Sequence, residues 1–174
     1  RIARRQRQMC IRDSYYANVE MIDSQVGDIL DALEERGNMD NTIVIFTSDH
    51  GDNLGDHGLI QKWAPYDEVT RVPLIISAPG RFESGRTVNE MVQLFDLAPT
   101  ILEWAGVTPD PTFEAISLNP ALEGSKFDGR AHVFCEQAAD VNMTGASYLT
   151  MVRSLTHKLI PVSYTHLTLP TSNS

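Results

Sequence analysis

The chain has 174 residues, with 14 Lys and Arg against 23 Asp and Glu, for a formal net charge of −9. So acidic a surface excludes nucleic-acid binding, which needs clusters of Lys and Arg on phosphate. It leaves room for a small anionic substrate where a metal inverts the local sign. No apolar run approaches the roughly 18 residues of a membrane span, and no signal peptide is visible.

The two ends differ from the body. Arg1 to Ser14, RIARRQRQMCIRDS, is strongly basic without an apolar period, and Pro161 to Ser174, PVSYTHLTLPTSNS, has no Asp, Glu, Lys or Arg. Both resemble translated adapter or cloning sequence, the other reading being a basic targeting arm and a disordered tail. The expected organisation is non-native segments at 1–14 and 161–174 around a body at 15–160, itself the C-terminal portion of a larger domain. Setting aside the five Arg and one Asp of the first segment leaves nine basic and 22 acidic residues, a net of −13. Cys10 falls outside that body, so Cys135 has no internal disulfide partner, and a lone thiol says nothing of compartment.

From Tyr15 to Arg36, Val19, Ile22, Val26, Ile29, Leu30 and Leu33 recur at helical spacing, with acidic residues on the other faces. Gly37 is the expected C-terminal cap and Asn38 to Asn41 the turn that follows. Thr42 to Thr47 is uncharged and rich in β-branched residues, which predicts a buried strand of a parallel sheet. Gly51 to Tyr66 carries Gly51, Gly55, Gly58 and Pro65 and reads as a long functional loop. A second buried strand is expected at Val72 to Ala78, then a helix from Leu97 to Trp104 capped by Asp96 and closed by Gly106. His132 to Glu136, Tyr148 to Arg153 and Lys158 to Ile160 predict a small antiparallel sheet. The fold class is therefore α/β, with buried parallel strands flanked by helices and a small C-terminal antiparallel sheet.

Asp49 and His50 lie just past the carboxyl end of the first strand, where open α/β sheets bind ligands. Asp49 offers a hard oxygen and His50 a nitrogen to one divalent ion, provided the turn at Gly51 lets them converge. The pair alone supplies too few donors, since a complete site needs about four to six. Asp52 and Asp56 do not keep the calcium-loop register, because Gly51 and Leu54 interrupt it. His50 and His57, seven apart, match neither a zinc helix nor a finger. Lys62 follows Asp49 by thirteen positions (62 − 49), across a glycine-rich loop able to fold back over the strand end. Its ammonium suits a sulfate or phosphate oxygen that gains charge, the bland reading being a surface lysine. Glu68 and Arg71 are spaced to brace the loop as an ion pair.

The order of blocks resembles the formylglycine-dependent sulfatases of the alkaline phosphatase superfamily. The matching runs are YYANVEMIDSQVGDILDALEERG, DNTIVIFTSDHGDNLGDHGLIQKWAPYDEVTRVPLIISAPG and LFDLAPTILEWAG, then VFCE, YLTMVRS and HKLI. The GDHG loop is most similar to the iduronate and choline sulfatase type and to phosphonate monoester hydrolases. The resemblance implies Asp49 and His50 as ligands of a catalytic divalent ion, Ca2+ first, with Mn2+ or Mg2+ as alternatives. It implies Lys62 as the sulfate-binding catalytic cation and His57 as a catalytic-loop residue lining the pocket. It further implies a small-molecule or glycan sulfate ester as substrate and a periplasmic or secreted location, with a cytoplasmic one open.

One departure from the family stands out. Its nucleophile arises from C/S-x-P-x-R, and neither Cys10 (before Ile11 and Arg12) nor Cys135 (before Glu136 and Gln137) fits. Formylglycine is therefore expected in an N-terminal half not present here, and this stretch alone is expected to be inactive. The competing readings are a phosphonate monoester or phosphodiester hydrolase on the same scaffold, and a non-catalytic binding module that kept the fold.

Overall fold

The structure is a computed structural model and describes residues 2–138 and 148–163. Helix α1 runs from Ile2 to Glu35, not from Tyr15. Nothing in the first fourteen residues stops a helix: they contain no Gly or Pro and are rich in Arg and Gln, both good helix formers. The other end matches expectation. Gly37 (φ 66°) donates its N–H to Glu34 O at 2.8 Å, and Asn38 N–H reaches Leu33 O at 3.0 Å. This is a Schellman stop, which needs the left-handed residue that glycine supplies most readily.

A short turn at Met39–Asn41 leads into β1, Val44–Thr47. Its partner is β2, Leu74–Ser77, and the two are antiparallel, with Thr47 opposite Leu74 and Val44 opposite Ser77. The expected parallel relation is thus corrected for this pair. A parallel pair needs a crossover running back along the strands, usually a helix, but the intervening chain holds only a 3₁₀ turn at Asp56–Gly58 and the single-turn α2, Asp67–Thr70. The loop therefore leaves and returns at the same strand end. Cover on both faces is corrected too. The cross-strand partners Phe46 and Ile75 are 38 and 59 % exposed, because β1 and β2 form a two-stranded sheet with no third strand among the described residues.

α3 spans Leu97–Trp104 as expected, entered through a 3₁₀ turn at Leu94–Asp96. Asp96 does not cap α3 with its side chain. Fully buried, it turns back to accept the N–H groups of Gln93 (2.8 Å) and Ile116 (2.9 Å) and the Arg130 guanidinium. Arg130 also donates to Glu114 O at 2.9 Å and lies over the Phe95 ring. Thr100, equally buried, donates to Asp96 O and accepts from Leu118 N–H, joining α3 to the single turn α4, Asn119–Leu122.

The C-terminal sheet consists of β3 (Val133–Ala138), β4 (Tyr148–Arg153), β5 (Lys158–Leu159) and β6 (Val162–Ser163), with β4 antiparallel to each of the others. β6 lies within the 161–174 segment, whose remainder, from 164 onward, is outside the described residues. Among the described residues the buried apolar side chains include Val69, Ala78, Leu118, Ala121, Leu149 and Met151, so the core runs from the loop before β2 across α4 to β4.

Asp67, at the start of α2, ties that sheet to the loop. Its carboxylate takes two hydrogen bonds from Arg153 Nη1 and one from Lys158 Nζ, all at 2.7 Å. The expected Glu68–Arg71 brace is replaced by this one; Glu68 faces His57 instead. Lys158 first, then Arg153, holds the Asp67 carboxyl below its ordinary 3.8 against a smaller opposing effect of burial. A depressed carboxyl stabilises the fold above the unfolded pKa, and that contribution is lost as the pH falls through the folded value. At pH 7 the parent should unfold at a higher temperature than Asp67→Asn, and the gap should close on acidification below about pH 4. A gap independent of pH in thermal melts would contradict the bridge.

Candidate functional site

The strand end is tied off locally. Thr47 Oγ1 donates to Pro73 O at 2.8 Å, joining the β1 exit to the β2 entrance, and Ser48 Oγ donates to His50 O at 2.8 Å, tightening the turn between them. Asp49 projects into solvent, its side chain 82 % exposed, with Oδ1 accepting His50 N–H at 2.9 Å. That bond is the main reason its carboxyl sits below the ordinary value; the charges of His50 and Lys62 act in the same direction, while desolvation opposes them.

His50 is oriented from behind. Its Nδ1 lies 2.9 Å from Gly51 O, an acceptor only, so Nδ1 carries a proton and Nε2 is the nitrogen left to face Asp49. Nε2 is 3.3 Å from Asp49 Oδ2. Two lone-pair atoms so close repel unless a proton or a cation lies between them. Metal-bound histidines are held in the same way, with the second ring nitrogen bonded to a carbonyl. The separation also suits two ligands on one ion at about 2.0–2.6 Å each. One carboxylate and one imidazole thus fit a divalent ion but do not complete its shell: among the described residues no cluster of three or more His, Cys, Asp or Glu side chains could hold one.

Gly51 is required by close approach. Its N–H donates to Val69 O at 2.8 Å, and a Cβ there would lie 1.9 Å from Glu68 O. Beyond it the loop holds three side-chain-bearing residues in left-handed backbone, Leu54 (φ 48°), His57 (φ 55°) and Gln61 (φ 62°). Such conformations gather at functional sites because surrounding contacts must enforce them.

The structure therefore brings Asp49 and His50 together. Lys62 makes no hydrogen bond or ion pair with either among the described residues, and its charge is the smallest of the influences that lower the Asp49 carboxyl. His57 is placed elsewhere in the loop. Its ring stacks on Tyr66 with centroids 4.0 Å apart, and Nε2 is 4.0 Å from Glu68 Oε1. It makes no hydrogen bond or ion pair with Asp49 or His50 among the described residues. Cys135 lies in β3, and burial pushes its thiol above its ordinary value, the reverse of what a nucleophile needs.

Sequence reasoning missed Asp52, Asn53 and Gln61 as a unit. Asp52 Oδ1 accepts the N–H groups of Leu54 (2.8 Å) and Gln61 (3.0 Å), and Asn53 bonds Gln61 O through both its backbone N–H and its side chain. The one available signal was an Asp followed by an Asn in a glycine-rich loop, a pattern typical of turns that bond their own backbone.

Comparison with known proteins identifies the family. A sequence model of the sulfatase family matches residues 3–107. An arylsulfatase of Clostridium perfringens is 36 % identical over 128 residues, 72 % of this chain and 27 % of that protein. The crystal structure of the phosphonate monoester hydrolase of Agrobacterium radiobacter superposes with a TM-score of 0.77 at 30 % identity, over 87 % of this chain and 32 % of that one. A structure of BT4656 with its substrate D-glucosamine-2-N,6-O-disulfate gives 0.76 at 34 % identity, over 84 and 30 %. The chain thus spans about a third or less of the relatives it matches. Its fold class is the α/β fold of sulfatases and alkaline phosphatases, with the small antiparallel sheet in place. With more than half of its residues matched by the family model, the chain belongs to the sulfatase family.

Proposed function

We propose that this stretch is the C-terminal part of a sulfuric ester hydrolase and contributes two metal ligands and one sulfate-binding cation to its active site. The observation that carries the reading is the Asp49–His50 pair, with Nε2 turned toward Oδ2 by the Gly51 carbonyl. Asp49 and His50 would hold a divalent ion, Ca2+ first, which when bound polarises the sulfate oxygens as a Lewis acid. Lys62 offers its ammonium to the sulfate group and stabilises charge that grows on it in the transition state. Only interactions that strengthen at that point accelerate the reaction. His57, whose ring stacks on Tyr66, would line the pocket from the loop.

The nucleophile comes from an upstream C/S-x-P-x-R segment carrying formylglycine. Cys135, followed by Glu136 and Gln137, lacks that pattern, which supports an upstream source. A sulfated sugar or aryl sulfate is the substrate class, in keeping with the names of the arylsulfatase and of the disulfated glucosamine complex. A periplasmic or secreted location, and adapter origin for 1–14 and 161–174, belong to the same reading. The phosphonate hydrolase alternative is kept by the 0.77 superposition. The gene region upstream of residue 15 should encode C/S-x-P-x-R, and the complete enzyme should turn over 4-nitrophenyl sulfate faster than phenyl phosphonate esters. A faster phosphonate rate would transfer the assignment to the alternative, and absence of the motif with no turnover of either would leave a binding module.

A further inference from the structure

Gln61 stands one residue before Lys62 in left-handed backbone, φ 62°. For a residue with a side chain this backbone is strained, so its neighbours must impose it. They do so from both sides. Gln61 N–H donates to Asp52 Oδ1 at 3.0 Å, and its carbonyl accepts Asn53 N–H at 3.0 Å and Asn53 Nδ2 at 2.6 Å. Its side-chain oxygen accepts Trp63 Nε1–H at 2.8 Å. Asn53 is fully buried, and Asp52 Oδ1 also accepts Leu54 N–H. Asp52 and Asn53 follow Asp49 and His50 almost directly, so the clamp joins the metal-ligand turn to the residue that launches Lys62.

We infer that Asp52 and Asn53 are positioning residues: by locking Gln61 they aim Lys62 back at the anion beside Asp49 and His50. This rests on the sulfate-binding role proposed for Lys62. Asp52 spends one oxygen on two backbone N–H groups, and an amide oxygen can do the same. Asp52→Asn should therefore keep the clamp and Asp52→Ala should lose it. Displacing a charged group by about 1 Å can cost as much as about a hundredfold in rate.

The test uses the complete enzyme on 4-nitrophenyl sulfate, comparing parent, Asp52→Ala, Asp52→Asn, Lys62→Ala and the double variant Asp52→Ala/Lys62→Ala. Asp52→Ala should lower kcat/KM about tenfold to a hundredfold, Asp52→Asn should stay within about threefold of parent, and Asp52→Ala should cost little once Lys62 is gone. A purely structural Asp52 would instead give the same fold-loss with and without Lys62. That outcome, or an Asp52→Asn as slow as Asp52→Ala, overturns the clamp alone. A Lys62→Ala enzyme with parent activity overturns the role of Lys62, and the clamp's catalytic purpose with it.

Discussion

Replacing Asp49 with alanine in the complete enzyme should lower kcat/KM on aryl sulfates by about a thousandfold or more. Lewis-acid stabilisation by a bound ion is worth several kcal/mol, and each tenfold in rate is about 1.4 kcal/mol. Asp49 supplies the negative charge of the pair, and in this chain its side chain packs against no core residue, being 82 % exposed. His50→Ala should also weaken the metal, by a smaller factor, because it removes a neutral donor. Chelation of the parent should bring its rate down to that of Asp49→Ala, and chelation of Asp49→Ala should change nothing further. Steady-state kinetics with calcium titration reads all of this. An Asp49→Ala enzyme of undiminished activity would refute the metal assignment.

The closeness of Asp49 and His50 was legible in sequence because they are adjacent. Asp49, His50 and Gly51 are consecutive, and one strand end dictates where they fall. The orientation of His50 was not legible, since it depends on whether the Gly51 carbonyl turns toward Nδ1, a matter of backbone geometry. The helix Leu97–Trp104 and the C-terminal sheet could be read from apolar spacing and turn residues. The direction of the β1–β2 pair could not. An uncharged β-branched run says that a strand is buried, not which way its neighbour runs.

The strands also show why burial pattern and burial differ. Phe46 and Ile75 have the composition of an interior, yet they are exposed opposite one another, as are Val19, Ile22 and Ile29 along α1. The chain spans about a third or less of its relatives, and these residues are patterned for a larger sheet than the one it contains. Long-range ion pairs were the least legible of all. Asp67 meets Arg153 across 86 positions, and no spacing rule reaches that far.

Removal of the Arg130 guanidinium should be the most destabilising single change in this stretch. Asp96 is fully buried; Arg130→Met leaves it the N–H groups of Gln93 and Ile116 but no cation. An unpaired buried carboxylate of this kind costs about 3–5 kcal/mol. The substitution also frees Glu114 O and uncovers Phe95. Adding Asp96→Asn to Arg130→Met should recover part of the loss, since the amide oxygen still accepts backbone N–H groups and the charge is gone. Denaturant unfolding of the complete enzyme and its variants measures both steps. Were the double variant less stable than Arg130→Met alone, the cost would lie in packing rather than in stranded charge.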